Sequence, residues 1–114
     1  MPYCEVITTT KVDKSRDMEL SHELARIIEL IPGKEERWIM THIEDRARMA
    51  FAGDNEQPCA MITLKTFGEL TPEQYDMLTK EMCSSASKLL GVAPDRLYVK
   101  YEPIVHWGWN GENF

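Results

Sequence analysis

The strongest constraint in this sequence is an order that occurs twice: a β-rich run, an amphipathic helical run and a second β-rich run. The helical runs carry apolar residues at three- and four-residue spacing, the period of a helix with one buried face. They are SRDMELSHELARIIELIPG and TPEQYDMLTKEMCSSASKLLG. Their β-rich neighbours are YCEVITTT and RWIMTHIE around the first, and CAMITLKTF and RLYVKYE around the second. The chain is therefore predicted to form two successive β-α-β units.

The two units also resemble each other in sequence. VITTT at residues 6–10 parallels MITLKT at residues 61–66, and GKEERWIMTHIE parallels GVAPDRLYVKYE. A crossover of helical length makes the two strands of each unit parallel and places both helices on one face of a shared sheet. We therefore predict an α+β fold in which two pseudo-symmetric β-α-β units form a four-stranded mixed sheet with two helices on one face. Short edge strands are expected in RMAFAGDNEQP and PIVHWGWNGENF, where they would extend a neighbouring chain's sheet.

The second helix has clear start and stop signals. Thr71 is placed as the N-cap before Pro72, and Gln74 completes a capping box. Gly91 followed by Pro94 ends the helix. The residues expected on its buried stripe are Tyr75, Leu78, Met82, Ala86 and Leu89. The corresponding stripe of the first helix is Leu20, Leu24, Ile27, Ile28 and Ile31, with residues 32–33 as the expected stop.

A chain of 114 residues is expected to form one domain, residues 1–114, around a single hydrophobic core. Because both helices are needed on one face of the sheet, nothing is left to cover the other face. Met40, Cys59 and Met61 would be exposed if their side is the uncovered one. An uncovered face of this kind favours self-association.

Composition argues against several classes of function. A net charge of −6, with 19 acidic and 13 basic residues, is unfavourable for nucleic-acid binding, which needs clustered Lys and Arg. No apolar run approaches the roughly 20 residues of a membrane span, and the N-terminus lacks the features of a signal peptide. We therefore expect neither a nucleic-acid nor a membrane partner, and a location in the cytoplasm or, without a signal peptide, outside the cell.

The cysteines and histidines show no ligand pattern. Cys4, Cys59 and Cys83 are odd in number and widely spaced, which favours reduced thiols over a disulfide framework. The histidines also lack the spacing of a metal site; they are His22, His42 and His106. We predict no metal and no cofactor.

The Met-Pro start has two interpretations. A proline has no amide hydrogen to give to a sheet, so Pro2 is tolerated as the first residue of a strand. Alternatively, aminopeptidases usually trim Met before a small second residue, proline included, and Pro2 would then carry a free secondary amine. A free amine can act as a base or a nucleophile. On this stretch alone the structural interpretation is the commoner one.

Several short motifs resemble the macrophage migration inhibitory factor and D-dopachrome tautomerase family, in the tautomerase superfamily. They are GK at 33–34, MAFAG at 49–53, PCA at 58–60, PDRLYVKY at 94–101 and GWNGENF at 108–114, together with Pro2. The resemblance runs essentially end to end. It implies a homotrimer of two-unit chains, and an N-terminal proline amine that acts as general base without a cofactor. The expected reaction interconverts the keto and enol forms of small aromatic carboxylates such as phenylpyruvate.

The resemblance also assigns a role to Lys34. A base must be unprotonated to work, and an ordinary α-amino group has a pKa of about 7.7 to 8.0. Burial and a neighbouring cation lower that pKa. Lys34 is the expected cation, and it would also bind the carboxylate of the substrate. From the residues alone, Lys34 would be a solvated lysine after a helix.

Further pocket residues follow from the resemblance rather than from the pattern of residues. It places Phe67 and Lys65 on one strand face toward the cavity, and Tyr98 in the cavity of an adjacent subunit. The other matching aromatic residues are Trp38, Trp109 and Phe114. Without the resemblance, all of these aromatic residues would be assigned to packing.

Two positions depart from the family pattern. Lys100 stands where the family's mammalian cytokine has an asparagine that contacts substrate, which would add a second cation to the pocket. Trp107 replaces a small aliphatic residue in a shortened loop. Both departures leave the identity of the substrate open.

Two other classes of function stay open beside the enzyme. One is a cytokine-like protein that binds a receptor and keeps a vestigial pocket, and the other is an assembly module without activity. We favour the enzyme because the residues that catalysis needs, Pro2 and Lys34, are both present.

Overall fold

Two β-α-β units account for most of the chain, as the sequence predicts. The computed structural model describes residues 1–114. Its strands and helices are β1 (Pro2–Thr8), α1 (Lys14–Ile28), β2 (Met40–Glu44), β3 (Ala60–Phe67), α2 (Pro72–Leu90), β4 (Leu97–Ile104), β5 (Gly108–Trp109) and β6 (Glu112–Asn113). Two short 3₁₀ turns, Glu36–Trp38 and Pro94–Arg96, lead into β2 and β4.

The first four strands form one mixed sheet in the order β2-β1-β3-β4. The strands within each unit are parallel, and the units meet through the antiparallel pair of β1 and β3. Pro2 lies opposite Thr66 near the end of β3, and Tyr3 lies opposite Met40 at the start of β2. This register brings the beginning of β1, the end of β3 and the beginning of β2 to the same end of the sheet. The α+β prediction is confirmed.

The core lies between the helices and one face of the sheet. Alternate residues of β1 and β3 point into it, and Val6 and Ile62 are fully buried. From the helices, Leu24 and Met82 are also fully buried. The predicted stripe of α1 is confirmed, whereas in α2 the last buried residue is Leu90 rather than Leu89.

The opposite face of the sheet is uncovered in this chain. Met40 is 65% exposed and Tyr98 is 62% exposed, and Met61 is half-buried on the same face. The conditional expectation for Cys59 is wrong, because this residue is buried. Cys59 precedes β3, and its backbone amide donates to Thr9 Oγ1 (3.1 Å), which holds it under the end of β1.

Helix α2 has the predicted termini. The amide of Gln74 donates to Thr71 Oγ1 (3.2 Å) and the amide of Thr71 donates to Gln74 Oε1 (2.9 Å), so the capping box is complete. Gly91 ends the helix at φ 68°, in the left-handed region that favours glycine.

Helix α1 ends earlier than predicted. It is capped by Asp13, whose Oδ1 accepts from the amide of Arg16 (2.8 Å), and it ends at Ile28 rather than at residues 32–33. The amides of Leu30 and Ile31 donate to carbonyls only three residues back, at 3.1 and 3.0 Å. The last turn is therefore tightened, and it still buries Ile31.

One further prediction needs correction, and the prediction of short strands outside the main sheet is confirmed for the C-terminal segment. The predicted strand RWIMTHIE begins only at Met40, because its first residues belong to the 3₁₀ turn Glu36–Trp38. Residues 49–58 form only one isolated bridge, between Phe51 and Asp54, and the C-terminal strands β5 and β6 pair with each other. The extension of a neighbouring chain's sheet by these segments involves a second chain, so it stays a prediction. None of the helices combines the length and apolar character that crossing a membrane requires.

Candidate active site

One cleft opens at the end of the sheet where β1 begins. It has a volume of about 600 Å³. Its walls come from residues 1–3, residues 37–40, Lys65 of β3, Ile104 and residues 106–109. Tyr3, Met40 and Lys65 belong to the uncovered face, so the cleft lies at the edge of that face.

Pro2 lies in the wall of this cleft and is buried. Pro2 is the first residue of β1, a position where a strand tolerates the missing backbone N–H of proline. The amide of Phe67 donates to the carbonyl of Met1 (3.2 Å), which ties the Met1-Pro2 peptide to the end of β3. The register of the two central strands therefore determines where the amino end of the chain lies.

Lys34 lies next to the amino end without lining the cleft itself. Its Nζ donates to the carbonyl of Phe67 (3.4 Å), and partial burial lowers its pKa. The pKa of the Met1 amino group is also below its ordinary value, first because of burial and then because of the positive charge of Lys34. The lysine and the amino end of the chain therefore share one electrostatic environment.

An aromatic row follows the cleft. Trp38 and Trp109 meet edge to face with ring centres 4.8 Å apart, and Trp109 stacks on Phe114 at 6.4 Å. Phe114 in turn contacts Phe67 at 5.6 Å. The C-terminal hairpin is tied back by the amide of Phe114, which donates to the carbonyl of Trp107 (3.0 Å). Residues that are distant in sequence thus form one continuous apolar surface.

The structure separates the predicted pocket residues into three groups. Those that line the cleft are Pro2, Trp38, Lys65, Trp107 and Trp109. Those that contact this group or the amino end are Lys34, Phe67 and Phe114. Tyr98 and Lys100 lie outside the cleft of their own chain: Tyr98 packs on Phe51 at 4.9 Å, and Lys100 pairs with Glu102 at 3.1 Å.

Sequence reasoning missed two cationic or titratable residues in the cleft wall, Arg37 and His106. Arg37 lies in the 3₁₀ turn before β2, with its guanidinium 4.9 Å from the centre of the Trp38 ring. Its position beside Trp38, three residues after Lys34, was the available signal. His106 lies in the shortened loop before Trp107, where no pattern pointed to it.

The arrangement combines a buried proline at the second position of the chain, aromatic walls and several cations. If Met1 were removed, the Pro2 amine and these groups together would suit proton transfer to or from a planar anionic compound. No three His, Cys, Asp or Glu side chains are grouped so as to hold a metal ion. The three cysteines are all free, and burial raises the pKa of the Cys4 thiol to about 12.

Comparison with known proteins agrees with this architecture over the whole chain. The family model of macrophage migration inhibitory factor (MIF) matches residues 1–114. The chain is 31% identical to macrophage migration inhibitory factor of Xenopus laevis over 116 aligned positions, covering 100% of this chain and 99% of that protein.

Solved structures show the same fold. MIF2 of Leishmania major has a TM-score of 0.93 at 31% identity, covering 100% of this chain and 97% of that one. A macrophage migration inhibitory factor homologue from Prochlorococcus marinus has a TM-score of 0.81 at 28% identity, covering 98% of both chains. This chain belongs to the macrophage migration inhibitory factor family.

Proposed function

We propose that this protein is a cofactor-independent keto–enol tautomerase in which the amine of Pro2, freed by removal of Met1, is the general base. The observation that carries the proposal is the burial of Pro2 in the wall of an aromatic cleft, with Lys34 beside the amino end. Membership of the family supports the same assignment.

The proposed reaction moves one proton within the substrate. The lone pair of the Pro2 nitrogen takes a proton from the carbon next to the carbonyl, the C–H electrons form a carbon–carbon double bond, and the carbonyl electrons move to oxygen. The protonated Pro2 amine then gives this proton to that oxygen, so the product is the enol and the free amine is restored. The reverse sequence gives the ketone. Atoms and electrons balance without an oxidant or a second reactant.

The environment of the amino end favours a working base. A positively charged Lys34 makes a second positive charge nearby more costly, and burial acts in the same direction. Both effects keep an amine unprotonated at a lower pH than in free solution. After loss of Met1, the Pro2 amine would lie close to the position where these effects act on the Met1 amine.

The family resemblance implies the substrate class, and the walls of the cleft support it. Trp38, Trp107 and Trp109 suit a planar ring, and Lys34 and Lys65 suit a carboxylate. We therefore propose phenylpyruvate-type or dopachrome-type compounds, which are small aromatic keto or enol carboxylates. Phe67 and Phe114 would extend the same surface.

We also propose that the protein works as a homotrimer assembled through the uncovered face. That face exposes Met40 and Tyr98, which are large apolar side chains. Tyr98 and Lys100 would then enter the cleft of a neighbouring chain. Light scattering should give about 40 kDa, three times the chain's 13.2 kDa. A monomer at micromolar concentration would contradict the trimer and the shared cleft.

The decisive experiment combines intact-mass analysis with an assay of phenylpyruvate tautomerisation. A sample that lacks Met1 should accelerate the reaction, and a sample with an uncleaved N-terminal extension should not, because its Pro2 nitrogen is an amide. Circular dichroism should show the same fold for both. An inactive sample whose mass proves the loss of Met1 would overturn the proposal.

A cytokine-like receptor-binding role is the second candidate, and the names of the curated relatives favour it. In that case the cleft is vestigial, and the protein acts outside the cell. The Met1-free trimer would then bind a cell-surface receptor and isomerise neither class of substrate. Receptor binding by a Pro2→Gly variant with unchanged affinity would separate this role from catalysis.

A further inference from the structure

The charge of the cleft is opposite to that of the protein. The chain has a net charge of −6, yet the cleft wall holds Arg37, Lys65 and His106 and not one Asp or Glu. Lys34 adds a further positive charge beside the amino end. A concave, cationic site in an acidic protein attracts and retains anions.

Two of these cations lie at opposite ends of the aromatic row. At one end, the guanidinium of Arg37 lies over the ring of Trp38. At the other end, Lys34 Nζ donates to the carbonyl of Phe67. The row between them runs through the rings of Trp109 and Phe114. A flat molecule lying along the row would therefore meet a positive charge at each end.

Arg37 is prepared to bind a carboxylate. Its guanidinium carbon lies 4.9 Å from the centre of the Trp38 ring, and its only ion pair is with Glu35, at Nε (2.9 Å). The terminal nitrogens make no hydrogen bond to the protein, and they are the atoms that bind carboxylates in pairs. The pair with Glu35 is exposed, so it opposes a ligand only weakly. Lys65, by comparison, is 3.9 Å from Glu102 on the sheet face.

We infer that the cleft prefers a ligand with two anionic groups on an aromatic body, and that Arg37 determines this preference by binding the group farther from Pro2. The inference rests on the proposed tautomerase function where it names a substrate. That substrate is an aromatic 2-keto acid with a second carboxylate on its ring. Lys34 would bind the carboxylate next to the reacting carbon.

Binding can be measured without catalysis, because all three tryptophans of the chain line the cleft. Tryptophan fluorescence would be titrated with phenylpropanoate and with para-carboxyphenylpropanoate, neither of which can enolise like a keto acid. The second compound differs by one carboxylate. We expect it to bind roughly three- to fivefold more tightly, the gain of one partly exposed charge pair.

Two arginine variants form a matched pair. Arg37→Gln should reduce the preference for the dianion to less than about twofold, with a smaller loss for the monoanion. Arg26→Gln is the control, because Arg26 is also exposed and also pairs with a nearby glutamate, Glu23, at 3.1 Å, but lies on α1 outside the cleft. Both variants change the net charge equally, and Arg26→Gln should keep the preference.

Three results would overturn the inference: equal affinity of the two compounds for the wild type, equal losses for both compounds in Arg37→Gln, or loss of the preference in Arg26→Gln. Turnover of phenylpyruvate and para-carboxyphenylpyruvate separates this inference from the proposed function. If both are isomerised with equal kcat/KM, the tautomerase stands and the inference fails. If neither is isomerised but the dianion binds more tightly, the function fails and the ligand class stands.

Discussion

In each β-α-β unit a similar turn connects the helix to the second strand. The turn of the first unit borders the cleft, whereas the turn of the second unit holds a loop by hydrogen bonds. In the first unit, Gly33 and Lys34 lead into the 3₁₀ turn Glu36–Trp38. In the second unit, Gly91 and Val92 lead into the 3₁₀ turn Pro94–Arg96. Both glycines have positive φ, 83° and 68°, so the backbone follows the same course.

The side chains at equivalent steps differ in chemistry. Val92 is 1% exposed and belongs to the core, whereas Lys34 at the matching step is half-buried and carries a charge. Trp38 at the end of the first turn contacts Trp109 beside the cleft. Arg96 at the end of the second turn has a largely buried side chain, which donates hydrogen bonds to a neighbouring loop.

Arg96 holds a loop that would otherwise have many unpaired carbonyls. Its guanidinium donates to the carbonyls of Phe51, Asp54, Gln57 and Pro58 at 2.9 to 3.2 Å. The comparison teaches that one turn of a repeated unit can stabilise the fold while the other is free to form a site. Substitutions in the second turn should therefore reduce stability, and substitutions in the first turn should reduce activity.

The largest expected effect is the loss of activity when Pro2, the first residue of the first unit, is replaced. Pro2→Gly in a Met1-free sample should reduce tautomerase kcat/KM by a factor of about 10² to 10⁴, the usual contribution of a general base. Glycine removes the secondary amine and its rigidity. Ala60→Gly is the matched control, because Ala60 is the first residue of β3 as Pro2 is of β1. It should lose about 0.5 to 1 kcal/mol of stability and keep its activity.

This prediction is measured by steady-state kinetics beside thermal unfolding. A Pro2→Gly enzyme within twofold of the wild type would end the assignment of Pro2 as base. Equal losses of activity in both variants would mean that each unit's first residue acts through the fold.

The next effect concerns stability. Arg96→Ala should lower the free energy of unfolding by about 2 to 4 kcal/mol, because it leaves several carbonyls without their donor. Arg37→Ala should change it by less than about 1 kcal/mol, since its ion pair is exposed. Urea unfolding at one fixed protein concentration would compare them. Similar losses in both variants would remove the distinction between the two turns.

The smallest expected effect comes from replacing Lys34 by the residue at the equivalent position of the second unit. Lys34→Val, which copies Val92, should raise KM for phenylpyruvate about tenfold and raise it less for the methyl ester, which lacks the carboxylate. Loss of the positive charge makes protonation of the Pro2 amine easier, so its pKa rises and the midpoint of the pH–rate profile moves to higher pH.

The folded protein should not lose stability in this variant, because partial burial already disfavours the charged lysine, as its lowered pKa indicates. The measurement is kcat/KM against pH for acid and ester. A midpoint that stays in place, or that moves to lower pH, would show that Lys34 does not act on the base.

Local patterns predicted the elements whose signals lie within a few residues. The capping box of α2 and its stop at Gly91 were readable because each depends on contacts three or four residues apart. The end of α1 could not be predicted from local signals, since Pro32 and Gly33 show only that the helix cannot extend beyond them. Tightening after Ile28 depends on how Ile31 packs in the core.

Resemblance pointed to Pro2, Lys34 and the aromatic residues, but it could not identify Arg37 or the absence of carboxylates in the cleft wall. Those facts depend on which residues of remote segments meet. Arg37 was expected in a strand, and its position in a 3₁₀ turn is what places its guanidinium over Trp38.

The sequence by itself determined the order of strands and helices, the helical stripes and the family, because periodicity, caps and motifs are properties of short segments. Only the tertiary structure decided that Phe67, Phe114, Trp109 and Trp38 form one row, and that Pro2 lies opposite Thr66. The physical reason is strand register: alternation within a strand specifies which face each side chain takes, but which residue of a remote strand it pairs with depends on packing across the whole sheet.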